Sequence, residues 1–360
     1  MKKNMNIELV RIIAMLMIVT LHCNLFSTKV VWSDAKKNIL FSILEIVCII
    51  AVNLYILITG FFLEKSKFSL KRIIKLELIV VFYSVIIYVV LVLLGLATFS
   101  KQYLVRMFFP VINGNYWFYS CYFVLCFILP LLKIIYTSMK RIEKEKILVI
   151  TLLGLSTILP LINPSNSQLS LAGGYSFTWL IVLVFLGAYL KDNYKKFNIK
   201  IISIVYVLVL LLQVFLYYKG NSFPKYLWMS SWHGFLLSYN NILVVLSSIC
   251  VFILLINIRI SNKILSKIIT FISSSTFSIY LIHLHPSVID PILSKMLDIS
   301  KYFGTSKIYY YYFGLILLIF ISCLLIDKIR VIIFKLFSKL TIRFDKKLER
   351  IDNKISLECD

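Results

Sequence analysis

The chain has 360 residues, 60% of them apolar and 15% charged, against about 45–50% and about 25% in soluble domains. That balance excludes an ordinary soluble enzyme and makes this an integral membrane protein. A net charge of +23 would suggest nucleic acid in a soluble chain, but here the basic residues sit in short loops between apolar runs, so no nucleic-acid partner is expected.

The N-terminal MKKNMN precedes a full-length apolar run with no small-residue cleavage pattern, which predicts a retained first span rather than a cleaved leader. Apolar runs near bilayer length predict ten spans, at 7–26, 39–63, 73–97, 116–136, 147–163, 175–190, 199–217, 236–257, 268–290 and 308–327. The fold class is therefore all-α, a polytopic membrane protein of about ten transmembrane helices. An even number puts both termini on one side. With that side cytoplasmic, the inner segments hold 27 of the 39 Lys and Arg and the outer segments ten. This bias predicts cytoplasmic termini.

The outer loops 98–115 and 218–235 are rich in aromatics, with Trp117, Trp228 and Trp232 placed as an interfacial belt. The loop 163–174 is uncharged. Residues 1–330 read as one transmembrane domain. Residues 331–360 alternate basic and apolar positions, which predicts an amphipathic cytoplasmic helix on the anionic inner leaflet.

Ionisable groups inside spans are costly and are functional candidates by default. The first span carries Arg11 and His22. Eleven residues at about 100° each make three turns plus about 20°, so the two share a face, about 16 Å apart along the axis. The other polar residues within spans include Glu45, Asn53, Thr59, Glu77, Gln213, Asn240, Asn241 and His283. His283 lies at a depth comparable to His22 in its own span, so both imidazoles could serve one cavity. Glu45 and Glu77 are expected to pair with nearby Lys or Arg. The seven cysteines lack metal-ligand spacing and read as small buried hydrophobes; no H-E-x-x-H, G-x-S-x-G, Walker or dinucleotide motif is present, and no metal is expected.

Four stretches carry a resemblance. NIELVRIIAMLMIVTLHC holds Arg-x10-His as Arg11 and His22; AVNLYILITGFFL at 51–63 is followed by SLKRIIKLE; NYWFYSCYFVLCFILP spans 115–130; TFSIYLIHLHP spans 276–286. In this order they resemble the acyltransferase-3 family of bacterial-type membrane acyltransferases, over almost the whole chain. The family's usual Ser before Gly60 is Thr59 here, which keeps the hydroxyl and stiffens χ1. The resemblance implies an O-acyltransferase of the cell membrane that moves an acyl group, commonly acetyl, from acetyl-CoA to a hydroxyl of a surface polysaccharide or lipid-linked sugar. It implies His22 as catalytic residue, Arg11 on the donor side and Trp117 in the site wall. Family members ending in a soluble extracytoplasmic domain are longer than this chain.

On that reading Lys71, Arg72 and Lys75 join Arg11 in binding the donor's phosphates. Asn53 and Thr59 join Trp117 in the site wall, and His283 assists catalysis. His22 serves as general base or as covalent acyl carrier, and acetyl, succinyl or a longer acyl group are all open. Acyl-CoA is a substrate, with no permanently bound cofactor expected; the other partners are the acceptor sugar and membrane lipids. The competing class is a glycan or lipid transporter whose intramembrane polar residues line a path. Visible internal repeats would favour it, and none is found.

Overall fold

The computed structural model describes residues 4–29, 39–159, 171–219 and 232–357. Trp228, Lys2, Lys3, Lys36, Lys37, Lys225 and most of the loop 163–174 lie outside them. Among the described residues every regular element is helical: α1 Met5–His22, α2 Ile39–Cys48, α3 Ala51–Phe61, α4 Leu70–Leu93, α5 Lys101–Met107, α6 Trp117–Ser138, α7 Arg141–Leu153, α8 Phe177–Asn193, α9 Ile199–Lys219, α10 Trp232–Leu236, α11 Ile242–Ile256, α12 Lys263–Ser273, α13 Thr276–His283 and α14 Lys307–Leu357. A π-helical turn, Cys23–Ser27, continues α1.

Six helical segments among these residues are long and apolar enough to cross a membrane: Met5–Ser27, Ile39–Phe61, Leu70–Leu93, Trp117–Ser138, Ile199–Lys219 and Lys263–His283. Ile242–Ile256 is apolar but shorter. The expected second span divides into α2 and α3 at a turn over Ile49 and Ile50. The ninth starts at Lys263, breaks between Ser273 and Thr276, and ends at His283 rather than at 290, because Pro286 opens a new turn capped by the His285 side chain. The tenth runs through residue 330 into a continuous 51-residue helix.

Side-chain caps set several helix starts. Asn4 accepts from the Asn6 amide, Ser69 from Arg72, Ser100 from Tyr103, Ser176 from Trp179 and Asn241 from Leu243.

The contacts divide the chain into two units. The first comprises Met1–Leu25, Val30–Lys65 and Leu131–Ser273. In it α1 packs on α2, α3, α11 and α12, and α3 lies along α8. Lipid tails are as apolar as Leu, so burial alone does not drive such pairs, and close backbone approach does. Gly60 of α3 and Gly187 of α8 supply it: a Cβ on Gly60 would stand 2.2 Å from the Val184 carbonyl oxygen, and one on Gly187 2.4 Å from that of Leu57. Buried Leu54, Leu57, Leu180, Leu183 and Val184 fill the seam. Exposed Ile201, Ile204, Leu208 and Leu211 leave α9 an apolar outer face suited to lipid.

The second unit comprises Phe26–Lys29, Ser66–Pro130 and Ser274–Asp360. Here α4 packs on α5, α13 and α14, and α13 on α14. Buried polar side chains knit it together. Tyr83 Oη donates to Asp327 Oδ1 at 2.7 Å, and Arg330 donates to the same oxygen at 2.8 Å. Tyr116 Oη donates to the Leu281 carbonyl at 3.0 Å.

Candidate active site

In the first unit, α1 is unbroken from Met5 to His22, so the helical spacing of Arg11 and His22 holds along its length. Both side chains are half-buried. Arg11 Nη1 stands 3.6 Å from Glu8 Oε1, one turn back. The Arg11 carbonyl also accepts from Tyr55 Oη of α3 at 2.9 Å, which fixes this end of α1 against its neighbour. Glu8 was not among the candidates drawn from the sequence, although its i,i+3 spacing to Arg11 was there to be read.

His22 is the last α-helical residue before the π-turn. Such turns widen a helix by one residue and recur at functional sites. The turn is held by Asn24, whose Nδ2 donates to Glu45 Oε2 at 2.6 Å and to the Phe41 carbonyl at 3.3 Å. Glu45 thus has an amide for a partner where a cation was expected. Thr20 is tied to its own helix by donation to the Leu16 carbonyl at 2.9 Å.

Asn53 is fully buried and bonded on both ends of its amide. Nδ2 donates to the Tyr239 carbonyl at 2.9 Å and to Ser248 Oγ at 3.2 Å, while Oδ1 accepts from Trp179 Nε1 at 3.3 Å. It therefore ties α3 to α8 and α11. Thr59 is half-exposed beside the Gly60–Gly187 contact.

In the second unit, His283 is buried, and its Nδ1 lies 2.6 Å from the Ile279 carbonyl, to which it must donate. A neutral ring in that tautomer has an acceptor at Nε2, which suits a base better than an oxyanion donor. His285 is also buried. Its Nδ1 accepts from the Ser287 amide at 3.0 Å, so Nε2 carries the proton toward the Ser84 carbonyl at 2.9 Å. Trp117 opens α6 and meets Phe118 edge to face. Glu77 accepts from Tyr119 Oη at 2.6 Å.

Three of the basic candidates cluster at the start of α4. Lys71 pairs with Glu349 and Lys75 with Asp345, at 3.2 Å. Arg72 is exposed and donates to the Lys67 carbonyl at 2.9 Å. The carboxylate partners come from the far end of α14, which sequence reasoning treated as basic. Among the described residues no three His, Cys, Asp or Glu side chains gather as a metal would require.

A half-buried imidazole at the end of a helix long and apolar enough to cross a membrane, followed by a hydrogen-bonded π-turn and preceded on one face by a guanidinium, has the chemistry to accept and return a proton. A family-wide sequence profile described as an acyltransferase domain matches residues 4–327. No curated protein and no solved structure matches the chain.

Proposed function

Since the chain belongs to the acyltransferase-3 family of membrane acyltransferases, we propose that it transfers an acetyl group from acetyl-CoA to a sugar hydroxyl, with His22 as the general base. The acceptor in this reading is a surface polysaccharide or a lipid-linked sugar of a bacterial-type cell envelope. Ten spans with both termini cytoplasmic complete the proposal, supported by the distribution of Lys and Arg.

The observation that carries it is the constellation on α1: His22 on one face with Arg11, at the point where the helix opens into a π-turn bonded to Glu45. Neutral His22 takes the proton of the acceptor hydroxyl as its oxygen attacks the thioester carbonyl. The tetrahedral intermediate collapses with cleavage of the C–S bond. The departing CoA sulfur receives the proton held by the imidazolium, and His22 returns to its neutral form. Nothing else is consumed.

Arg11 stands on the donor side, where its planar fork can engage a phosphate once Glu8 yields it. Lys71, Arg72 and Lys75 supply further cations for the donor's phosphates. The family reading assigns Trp117 and Thr59 to the site wall; within the first unit, Asn53 holds α3 to α8 and α11.

Mass spectrometry of cell-envelope glycans from cells with and without the protein tests the reading. An acetyl ester present on one glycan class only when the protein is made is the expected result. Identical glycans from both cells contradict it.

A further inference from the structure

The far end of α14 carries Asp345, Glu349 and Asp352 at i, i+4 and i+7, which is one face of a helix. That face lies on the N-terminal end of α4. Asp345 meets Lys75 and Glu349 meets Lys71. Asp352 takes the helix end itself: Oδ1 accepts from the Leu70 amide at 2.7 Å, and Oδ2 accepts from Ser69 Oγ at 2.8 Å and the Lys71 amide at 3.4 Å. Buried Leu348 anchors the same stretch, while Lys346, Lys347, Arg350 and Lys354 are exposed. A net-basic segment thus turns its carboxylates to one place.

Free amides of a first helical turn, a capping hydroxyl and two ammonium groups make a seat for an anion. Asp352 fills it as a phosphate oxygen would. We propose that this end of α14 is an autoinhibitory latch, whose three carboxylates hold the anion seat of α4 against the phosphates of the acyl-CoA donor. The inference rests on the assignment of Lys71, Arg72 and Lys75 to the donor.

The latch is built to open. Glu349 and Lys75 are both half-exposed or more, and ion pairs of that kind are individually weak and screened by salt. A ligand with several phosphate charges can displace them, starting at exposed Arg72. Donor affinity is therefore set by competition with the chain's own carboxylates.

The test is CoA binding by the purified full-length protein in neutral detergent, before and after the triple substitution D345N/E349Q/D352N. The variant is expected to bind CoA roughly three- to tenfold more tightly, the range set by losing a few exposed ion pairs, with the gap narrowing in high salt. Equal or weaker binding by the variant overturns the latch and leaves the donor assignment intact. Absence of CoA binding by both proteins overturns the latch and the donor assignment together. A reversible form of the test avoids dependence on how the triple variant folds. In a Cys359→Ser background, Ser69→Cys with Asp352→Cys locks the tail when oxidised. CoA binding is expected to weaken on oxidation and recover on reduction; identical binding in the two states overturns the latch.

Discussion

Asn24 donates a 2.6 Å hydrogen bond to Glu45, two residues beyond His22, and so holds the π-turn in which α1 ends. His22 immediately precedes that turn, which makes Asn24 a positioning residue. Asn24→Ala is expected to lower kcat on the order of tenfold while leaving KM for acetyl-CoA unchanged, since small misplacements of a reacting group are expensive. Glu45→Ala should match it, Glu45→Gln should retain most activity because an amide oxygen still accepts, and the double alanine variant should be no worse than either single one. Steady-state kinetics on the four proteins reads this directly.

The Gly60–Gly187 contact sets how closely α3 approaches α8. With backbone oxygens 2.2 and 2.4 Å from the two missing Cβ positions, the seam must shift to admit a methyl. Gly60→Ala is expected to destabilise by about 1–3 kcal/mol, the usual range for overpacking. Gly60→Val should prevent stable folding. Thermal unfolding in detergent measures the first, and recovery of monodisperse protein the second.

Arg11→Ala is expected to raise KM for acetyl-CoA on the order of tenfold, through loss of a charge-assisted contact to phosphate, with a smaller effect on kcat. Arg11→Lys keeps the charge but not the fork, so it should fall between alanine and wild type. A kcat defect without a KM change would instead assign Arg11 to the chemical step.

Asp298 carries a pH signature outside the spans. Hydrogen bonds from the Lys29 ammonium and Ser300 hold its carboxyl down at about 2, from an ordinary 3.8. Its contribution to stability is complete above the unfolded value and is lost as pH falls through that value toward about 2. Unfolding temperature should therefore decline across that acid window, and Lys29→Met should flatten the decline without changing the melting temperature's trend near neutral pH.

The first helix was largely legible in the sequence, because a regular 3.6-residue repeat fixes which side chains share a face. Six of the expected spans coincide with helices long and apolar enough to cross a membrane, and they were legible because backbone bonds must close within the segment. The turn at Ile49–Ile50 was hidden, since no Gly or Pro marks it within an unbroken apolar run. Asn53 read as a polar lining residue, and only packing reveals that Trp179, Tyr239 and Ser248 engage both ends of its amide. The composition of the tail hid its carboxylate face. Its lysines and arginines outnumber its carboxylates, yet the carboxylates share a face and that face docks on α4. The partner of Glu45 was equally unreadable, because Asn24 lies 21 residues away on another element and only packing brings the two together.

Incubation of purified wild type and His22→Ala with acetyl-labelled acetyl-CoA and an envelope glycan acceptor puts the role of His22 to a single measurement. Wild type is expected to label the glycan, and the folded His22→Ala protein, with unchanged melting temperature and CoA binding, to fall to background. Wild-type rates of label transfer by His22→Ala would contradict the assignment of His22 as the catalytic base.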